Sequence, residues 1–127
     1  MKKEINSNHA PKAIGPYSQG ILSDGLIFCS GQIALNPGKK ELISSDIKEQ
    51  TRQVLQNIES ILQCSQSNLS CVVKSTIFLT DLNDFSFVND VYQTFFEKPF
   101  PARSTVEVSK LPLGAKVEIE VIATIKK

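Results

Sequence analysis

Histidine is nearly absent from this chain: His9 is the only one in 127 residues, and the three cysteines, Cys29, Cys64 and Cys71, follow no C-x-x-C spacing. No zinc set can be drawn from them. A Cys–His nucleophilic pair would need His9, which lies in a polar N-terminal segment, brought beside a thiolate. Cys29 instead sits in an apolar stretch and reads as a small core residue. An excess of basic charge is also missing. Lys and Arg number 14 against 13 Asp and Glu, a net charge of +1, with only short pairs at Lys2-Lys3, Lys39-Lys40 and Lys126-Lys127. Nucleic-acid binders carry a clustered basic excess, so these pairs read as solvated ends and a turn. The N-terminal MKKEINSNHAP has no apolar stretch that would make a signal peptide, and no apolar run reaches membrane-spanning length. Free thiols without an export signal are expected of a cytoplasmic protein. No repeat, linker or low-complexity tract appears. Residues 1–127 read as one domain, of a size that buries roughly two-thirds of its unfolded surface.

What is present is a succession of strand and helix patterns. Lys3 to Asn6 is a candidate first strand, and the turn-rich SNHAPKAIGPYSQG follows, with Pro11, Gly15 and Pro16 setting the backbone. Tyr17, just after Gly15-Pro16, is either a packed ring with its hydroxyl at the surface or a ring lying over a ligand. Tyr17 to Leu22 is extended, Asp24-Gly25 is a hairpin turn signal, and Leu26 to Ser30 is a buried strand. Gly31 interrupts that strand, which suggests a bulge or a close approach by another group. Asn36-Pro37-Gly38 closes the next turn.

Asp46 with Glu49 three residues on makes an acidic capping box for a first helix. Its apolar stripe is Ile47, Thr51, Val54, Leu55, Ile58, Ile61 and Leu62, a sheet-packing face rather than a cofactor box. Val72 to Leu79 is a strand, with Val73, Ser75, Ile77 and Leu79 on one side. A second helix is expected near Phe85 to Glu97, with Phe85, Val88, Tyr92, Phe95 and Phe96 inward. The expected architecture is an α+β sandwich, two helices on one face of a mixed sheet. Its other face, bearing Phe78, Ile122 and several charges, calls for self-association.

The chain ends in PFPARSTVEVSKLPLGAKVEIEVIATI, which reads as two strands joined by a Pro/Gly turn. Paired as an antiparallel hairpin, with Val106 and Val108 sharing a core with Val117 and Ile119, they would put Arg103 and Thr105 on one face with Glu118 and Glu120. An arginine fork in a cleft suits a carboxylate ligand. A surface salt bridge to Glu107 or Glu120 is the competing reading, and alternation alone favours it. Either Glu118 or Glu120 would serve to hold a water or pass protons.

The segments AIGPYSQG, IFCSGQIALNP, FLTDLNDFSFVNDVY and FPARSTVEVSKLPLGAKVEIEVIA closely resemble the RidA (YjgF) family of imine and enamine deaminases, in order, from about Ala10 to Ala123. The resemblance implies a chorismate-mutase-like α+β fold and a homotrimer with three clefts between subunits. It implies that Arg103 clamps the substrate carboxylate, Tyr17 lies along the ligand, and Glu118 positions or activates the attacking water. Ser30 and Gly31 would shape the pocket, the Gly31 carbonyl accepting a hydrogen bond from the substrate nitrogen. Thr105 stands where close relatives often have cysteine. It keeps the backbone N–H that helps to hold a ligand, and it removes a modifiable thiol. Phe85 and Asn89 match positions near the cleft.

The reaction so implied is hydrolysis of 2-aminoacrylate, 2-iminobutanoate and similar 2-imino or 2-enamino acids to 2-oxo acids and ammonia. It needs the carboxylate, imine and water oriented and a proton moved to the leaving ammonia, with no metal or organic cofactor. Two other readings come with the resemblance: a non-catalytic 2-oxo-acid-binding regulator, and an RNA-acting ribonuclease or translation inhibitor. The mixed charge and lack of a basic-aromatic stripe speak against the last.

Overall fold

The computed structural model describes residues 1–126. Strands β1 (Lys3–Ile5), β2 (Gly20–Ser23) and β3 (Leu26–Gln32) precede helix α1 (Ile47–Gln63). Then come β4 (Val72–Leu79), α2 (Phe85–Phe95), β5 (Ala102–Glu107) and β6 (Val117–Thr124). The strands form one sheet in the order β1-β2-β3-β6-β4-β5, in which only β4 and β5 are parallel. Both helices cover one face. No helix among the described residues is long and apolar enough to cross a membrane.

Local chemistry accounts for most of these elements. Asp24 and Gly25 both have positive φ (51° and 75°), the backbone that a two-residue β2–β3 hairpin turn requires. At α1 the Asp46 carboxylate accepts from the Glu49 N–H at 2.9 Å, the expected cap. All seven residues of the α1 stripe are buried, and two polar ones, Gln50 and Asn57, are buried with them. Gln50 accepts from the Lys116 N–H (2.9 Å), and Asn57 donates to the Leu35 carbonyl (3.1 Å). These bonds tie α1 to the loops that flank β3 and β6. They satisfy polar groups that would otherwise be buried unpaired.

The closing hairpin does not form. β5 pairs with β4 and not with β6, which enters the sheet between β3 and β4. The two candidates for the central position differ in burial. In β6, Val117, Ile119, Val121 and Ala123 are all buried, whereas no residue of β5 is. A strand with a continuous apolar face gains most from neighbours on both sides, and a polar one is best left at an edge. The α2 crossover makes β4–β5 a parallel unit, and the long link from Val108 to Lys116 carries β6 to the other side of β4. Val106 therefore does not share the core of Val117 and Ile119. It lies on the uncovered face, 42% exposed.

Two smaller expectations also shift. The β4–β6 register slips between Val72 and Lys74, so Val72 is buried and Val73 exposed, the reverse of simple alternation. Helix α2 ends at Phe95, because Phe96 is already extended (φ −122°, ψ 150°). Val91 joins Val88 and Tyr92 in its buried stripe, while Phe85 stays exposed at its first turn. The sheet's uncovered face carries exposed Phe28 and Val106 with half-buried Phe78 and Ile122.

Candidate active site

The sheet register decides which candidate residues meet. Arg103 is opposite Ser75, which is opposite Val121, so all three point toward the helices. Glu118 is opposite Phe78 and Glu120 opposite Thr76, so both carboxylates point to the uncovered face. The expectation that Arg103 and Thr105 share a face with Glu118 and Glu120 is overturned. It rested on pairing β5 directly with β6, and the intervening β4 adds a strand whose register reverses the parity.

On the helix side, Arg103 lines a cleft of about 380 Å³ with Asn89, Tyr92, Gln93, Phe100 and Pro101. Its guanidinium carbon lies 5.0 Å from the Tyr92 ring centroid and 5.4 Å from that of Phe85, within cation–π range. The salt-bridge reading fails. Glu107 accepts from the Leu82 N–H at 2.9 Å, Glu120 is on the other face, and among the described residues the one ion pair is Lys48–Asp90. Thr105 follows Arg103 on the same face, and its hydroxyl oxygen is buried without a hydrogen-bond partner. Arg103, Thr105, Phe85 and Asn89 thus form one group.

Tyr92 anchors that group and was legible only as a core residue. It is buried, stacks on Phe96 at 4.4 Å between centroids, and shares a 2.6 Å hydrogen bond with Ser75. Burial pushes its phenol above the ordinary value, while the bond to Ser75 and the charge of Arg103 oppose the rise. The sequence signal for it is the helical spacing of Phe85, Asn89 and Tyr92, which sets all three on one face of α2. Phe100 and Pro101, also in the cleft wall, precede β5 and carried no such signal.

The second group forms around β3. The expected irregularity at Gly31 is present as a register shift between Cys29 and Gln32. A Cβ built on Gly31 would stand 2.7 Å from Glu118 Oε2, so the glycine is what lets Glu118 lie against the strand. Glu118 titrates above the usual carboxylate range, first because burial disfavours its charge and second because Glu120 is near. Ser30 donates its hydroxyl to the Ser18 carbonyl at 2.6 Å and its N–H to the Gln19 carbonyl at 2.9 Å, which fastens the Tyr17–Gln19 segment beside β3. Tyr17 itself is exposed. The buried Gln19 side chain holds the loop before it, accepting from the Ser7 N–H and donating to the Pro11 carbonyl. Tyr17, Ser30, Gly31 and Glu118 are therefore placed apart from Arg103.

Other candidate chemistry is closed off. Burial, helped by Glu120, pushes the Cys29 thiol up to about 12, which suits a core residue and not a nucleophile. Among the described residues no group of three or more His, Cys, Asp or Glu is placed to hold a metal ion.

Comparison with known proteins supplies the rest. The profile of the family described as endoribonuclease L-PSP matches residues 7–125. The 2-iminobutanoate/2-iminopropanoate deaminase of Bos taurus is 46% identical over 123 residues, covering 97% of this chain and 90% of its own. A crystal structure of YyfA from Yersinia pestis, a protein of unknown function of the conserved Rid family, superposes with a TM-score of 0.95 at 52% identity, covering 98% of this chain and 100% of that one. Escherichia coli TdcF with bound serine gives a TM-score of 0.91 at 39% identity, covering 98% and 99%.

Proposed function

The chain belongs to the endoribonuclease L-PSP family and is similar along nearly its whole length to a Rid-family structure and to a 2-iminobutanoate/2-iminopropanoate deaminase, and from that premise we propose that it is a deaminase of reactive 2-imino and 2-enamino acids. Its products are the corresponding 2-oxo acids and ammonia. One observation carries this reading of the site: Arg103 has no carboxylate partner among the described residues, and the candidate catalytic glutamate is on the opposite face of the same sheet. Two such faces complete one cleft when copies of the chain pack together. Arg103, Thr105, Phe85 and Asn89 of one subunit then meet Tyr17, Ser30, Gly31 and Glu118 of the partner subunit. A homotrimer assembled through the uncovered sheet face, with its exposed Phe28 and Val106, provides this.

In that cleft each group has a distinct task. Arg103 binds the substrate carboxylate through its two-pronged fork. The Thr105 N–H assists it, and Tyr17 covers the ligand. The Gly31 carbonyl accepts from the substrate nitrogen and so fixes which face of the imine carbon is presented. Glu118 takes a proton from the attacking water as the C–O bond forms. Starting from the protonated imine, it returns that proton to the nitrogen of the tetrahedral adduct; the C–N bond then breaks as the adduct's hydroxyl becomes the carbonyl, and the hydroxyl proton leaves with the ammonia as ammonium. A carboxyl titrating above its usual range is better matched to both halves of this transfer than an ordinary glutamate.

The test couples a threonine dehydratase to the purified protein and follows 2-oxobutanoate. Formation is expected to accelerate, to lose the acceleration in Arg103→Ala, and to lose most of it in Glu118→Ala. A parent protein that binds 2-oxobutanoate without accelerating its formation is a binding module and not an enzyme. Arg103→Ala with parental rates would show that the carboxylate is held elsewhere.

A further inference from the structure

An arginine that must receive a carboxylate presents a physical problem. Its long side chain carries about 2 kcal/mol of rotamer entropy, and the usual means of fixing it, a neighbouring carboxylate, would occupy the same N–H edge that the ligand needs. Aromatic faces avoid the conflict. They attract the guanidinium plane and leave its in-plane donors open. Arg103 has two such faces, Phe85 and Tyr92, and no ion-pair partner among the described residues.

The two rings are not equivalent. Phe85 is 38% exposed at the start of α2 and makes the outer wall. Tyr92 is 5% exposed, stacked on Phe96 with 28° between the ring planes, and bonded through its hydroxyl to Ser75. Ser75 is also the residue directly beside Arg103 in the β4–β5 register. A hydroxyl anchored there brings the Tyr92 ring over the base of the arginine. Strand, helix and guanidinium close a triangle whose three sides are a register pair, a hydrogen bond and a cation–π contact. Ser75 is wholly buried, opposite Val121 and on the same face of β4 as Ile77, in a position where an apolar side chain would pack without any need for a partner.

We propose that Tyr92, fixed by Ser75 and Phe96, is the positioning residue that aims Arg103, holding the guanidinium by its face so that its hydrogen-bonding edge stays open to the ligand carboxylate. The inference deepens the deaminase reading and rests on it only for the identity of the ligand. The ring acts by lowering the entropy lost when the carboxylate binds, so it belongs to affinity and not to the chemical step.

The experiment compares the parent with Tyr92→Leu, Tyr92→Phe and Ser75→Ala. It measures the Kd for 2-oxobutanoate, KM and kcat in the coupled assay, and the Arg103 Nε–Hε NMR signal of the ligand-free protein. Tyr92→Leu removes the platform and is expected to raise Kd and KM about tenfold with kcat within about twofold. It should also move the Arg103 signal to the position of a freely rotating arginine. Tyr92→Phe and Ser75→Ala each cut the same tether, so each should raise Kd about threefold, and the double variant no further. A folded Tyr92→Leu with parental Kd and an unshifted Arg103 signal overturns the proposal. So does a fall in kcat at constant KM, the mark of a merely structural loss. If Tyr92→Leu does not fold, parental Kd and Arg103 signal in both tether variants overturn it instead. Should the parent show no turnover, the deaminase reading fails while the Kd and Arg103 signal still decide this one. Should it bind no 2-oxo acid either, a freely averaged Arg103 in the parent overturns the proposal, and a restrained one released by Tyr92→Leu supports it.

Discussion

Glu118 and Thr105 show how much a side chain's surroundings add to its identity. Glu118 is held above the usual carboxylate range by burial and by the charge of Glu120. If it must be ionised to take a proton from water, kcat/KM falls as pH drops through its raised pKa, so the acid limb lies above that of a free glutamate. Glu120→Gln removes one cause of the rise and is expected to move that limb to lower pH; an unmoved limb would assign it to another group. The same sign governs stability. A carboxyl raised on folding favours the native state below its unfolded pKa and loses that contribution as pH rises through the folded one. Glu118→Gln should accordingly melt higher than the parent at neutral pH, with the difference closing toward acid. Thr105 carries a buried hydroxyl oxygen with no partner, a feature that costs about 1–3 kcal/mol. The role given to this residue uses its backbone N–H, so Thr105→Val is expected to raise Tm by a few degrees, ~2–4 °C, at unchanged KM. A raised KM would bring the hydroxyl itself into contact with the ligand.

Strand β3 and helix α2 each supply a wall of the proposed cleft, β3 through its break in register and α2 through one of its faces. At β3 the break in register puts Gly31 against Glu118, and a methyl group there would meet Oε2 at 2.7 Å. Because the obstructing atom is the end of a flexible side chain, Gly31→Ala should leave Tm within about 1 °C, a surface-like effect, while activity drops about tenfold or more as Glu118 is displaced. Thermal melting with the coupled assay separates the two, and a large fall in Tm with proportionate loss of activity would contradict this account. In α2 the apolar stripe readable from the sequence held Phe85 and Tyr92, while Asn89 entered only through the family resemblance. The stripe's division into an exposed entrance and a buried anchor came from where β5 passes beneath it.

Taken whole, the molecule puts Arg103 and Glu118, the proposed clamp and the proposed base, on opposite faces of one sheet. That arrangement predicts complementation. Arg103→Ala and Glu118→Gln variants, each inactive alone, should regain activity when unfolded and refolded together, because about one cleft in four in a randomly mixed ring draws an intact arginine and an intact glutamate from different subunits. No recovery on mixing, or a solution mass near 14.0 kDa instead of about three times that value, would sink the shared cleft.

Wherever a few adjacent residues suffice, the chain could be read directly. The Asp46 cap, the Asp24-Gly25 turn and the periodicity of the α1 stripe all rest on relations within a turn or two of backbone, and a glycine inside a strand marked the break at Gly31. The alternation of β6 was legible for the same reason. Nothing local says which strand lies beside which. Residues that follow one another in β5 and β6 were expected to pair, yet the apolar face of β6 drew it to the centre and left polar β5 at the edge. With β4 between them, the parity of every side chain on β5 relative to β6 reversed. Arg103 and Glu118 entered as candidate site residues through the resemblance to the family, since alternation alone favoured a salt bridge and left Glu118 and Glu120 equivalent. That Arg103 and Glu118 stand on opposite faces of one chain depends on long-range pairing that burial across the whole sheet selects.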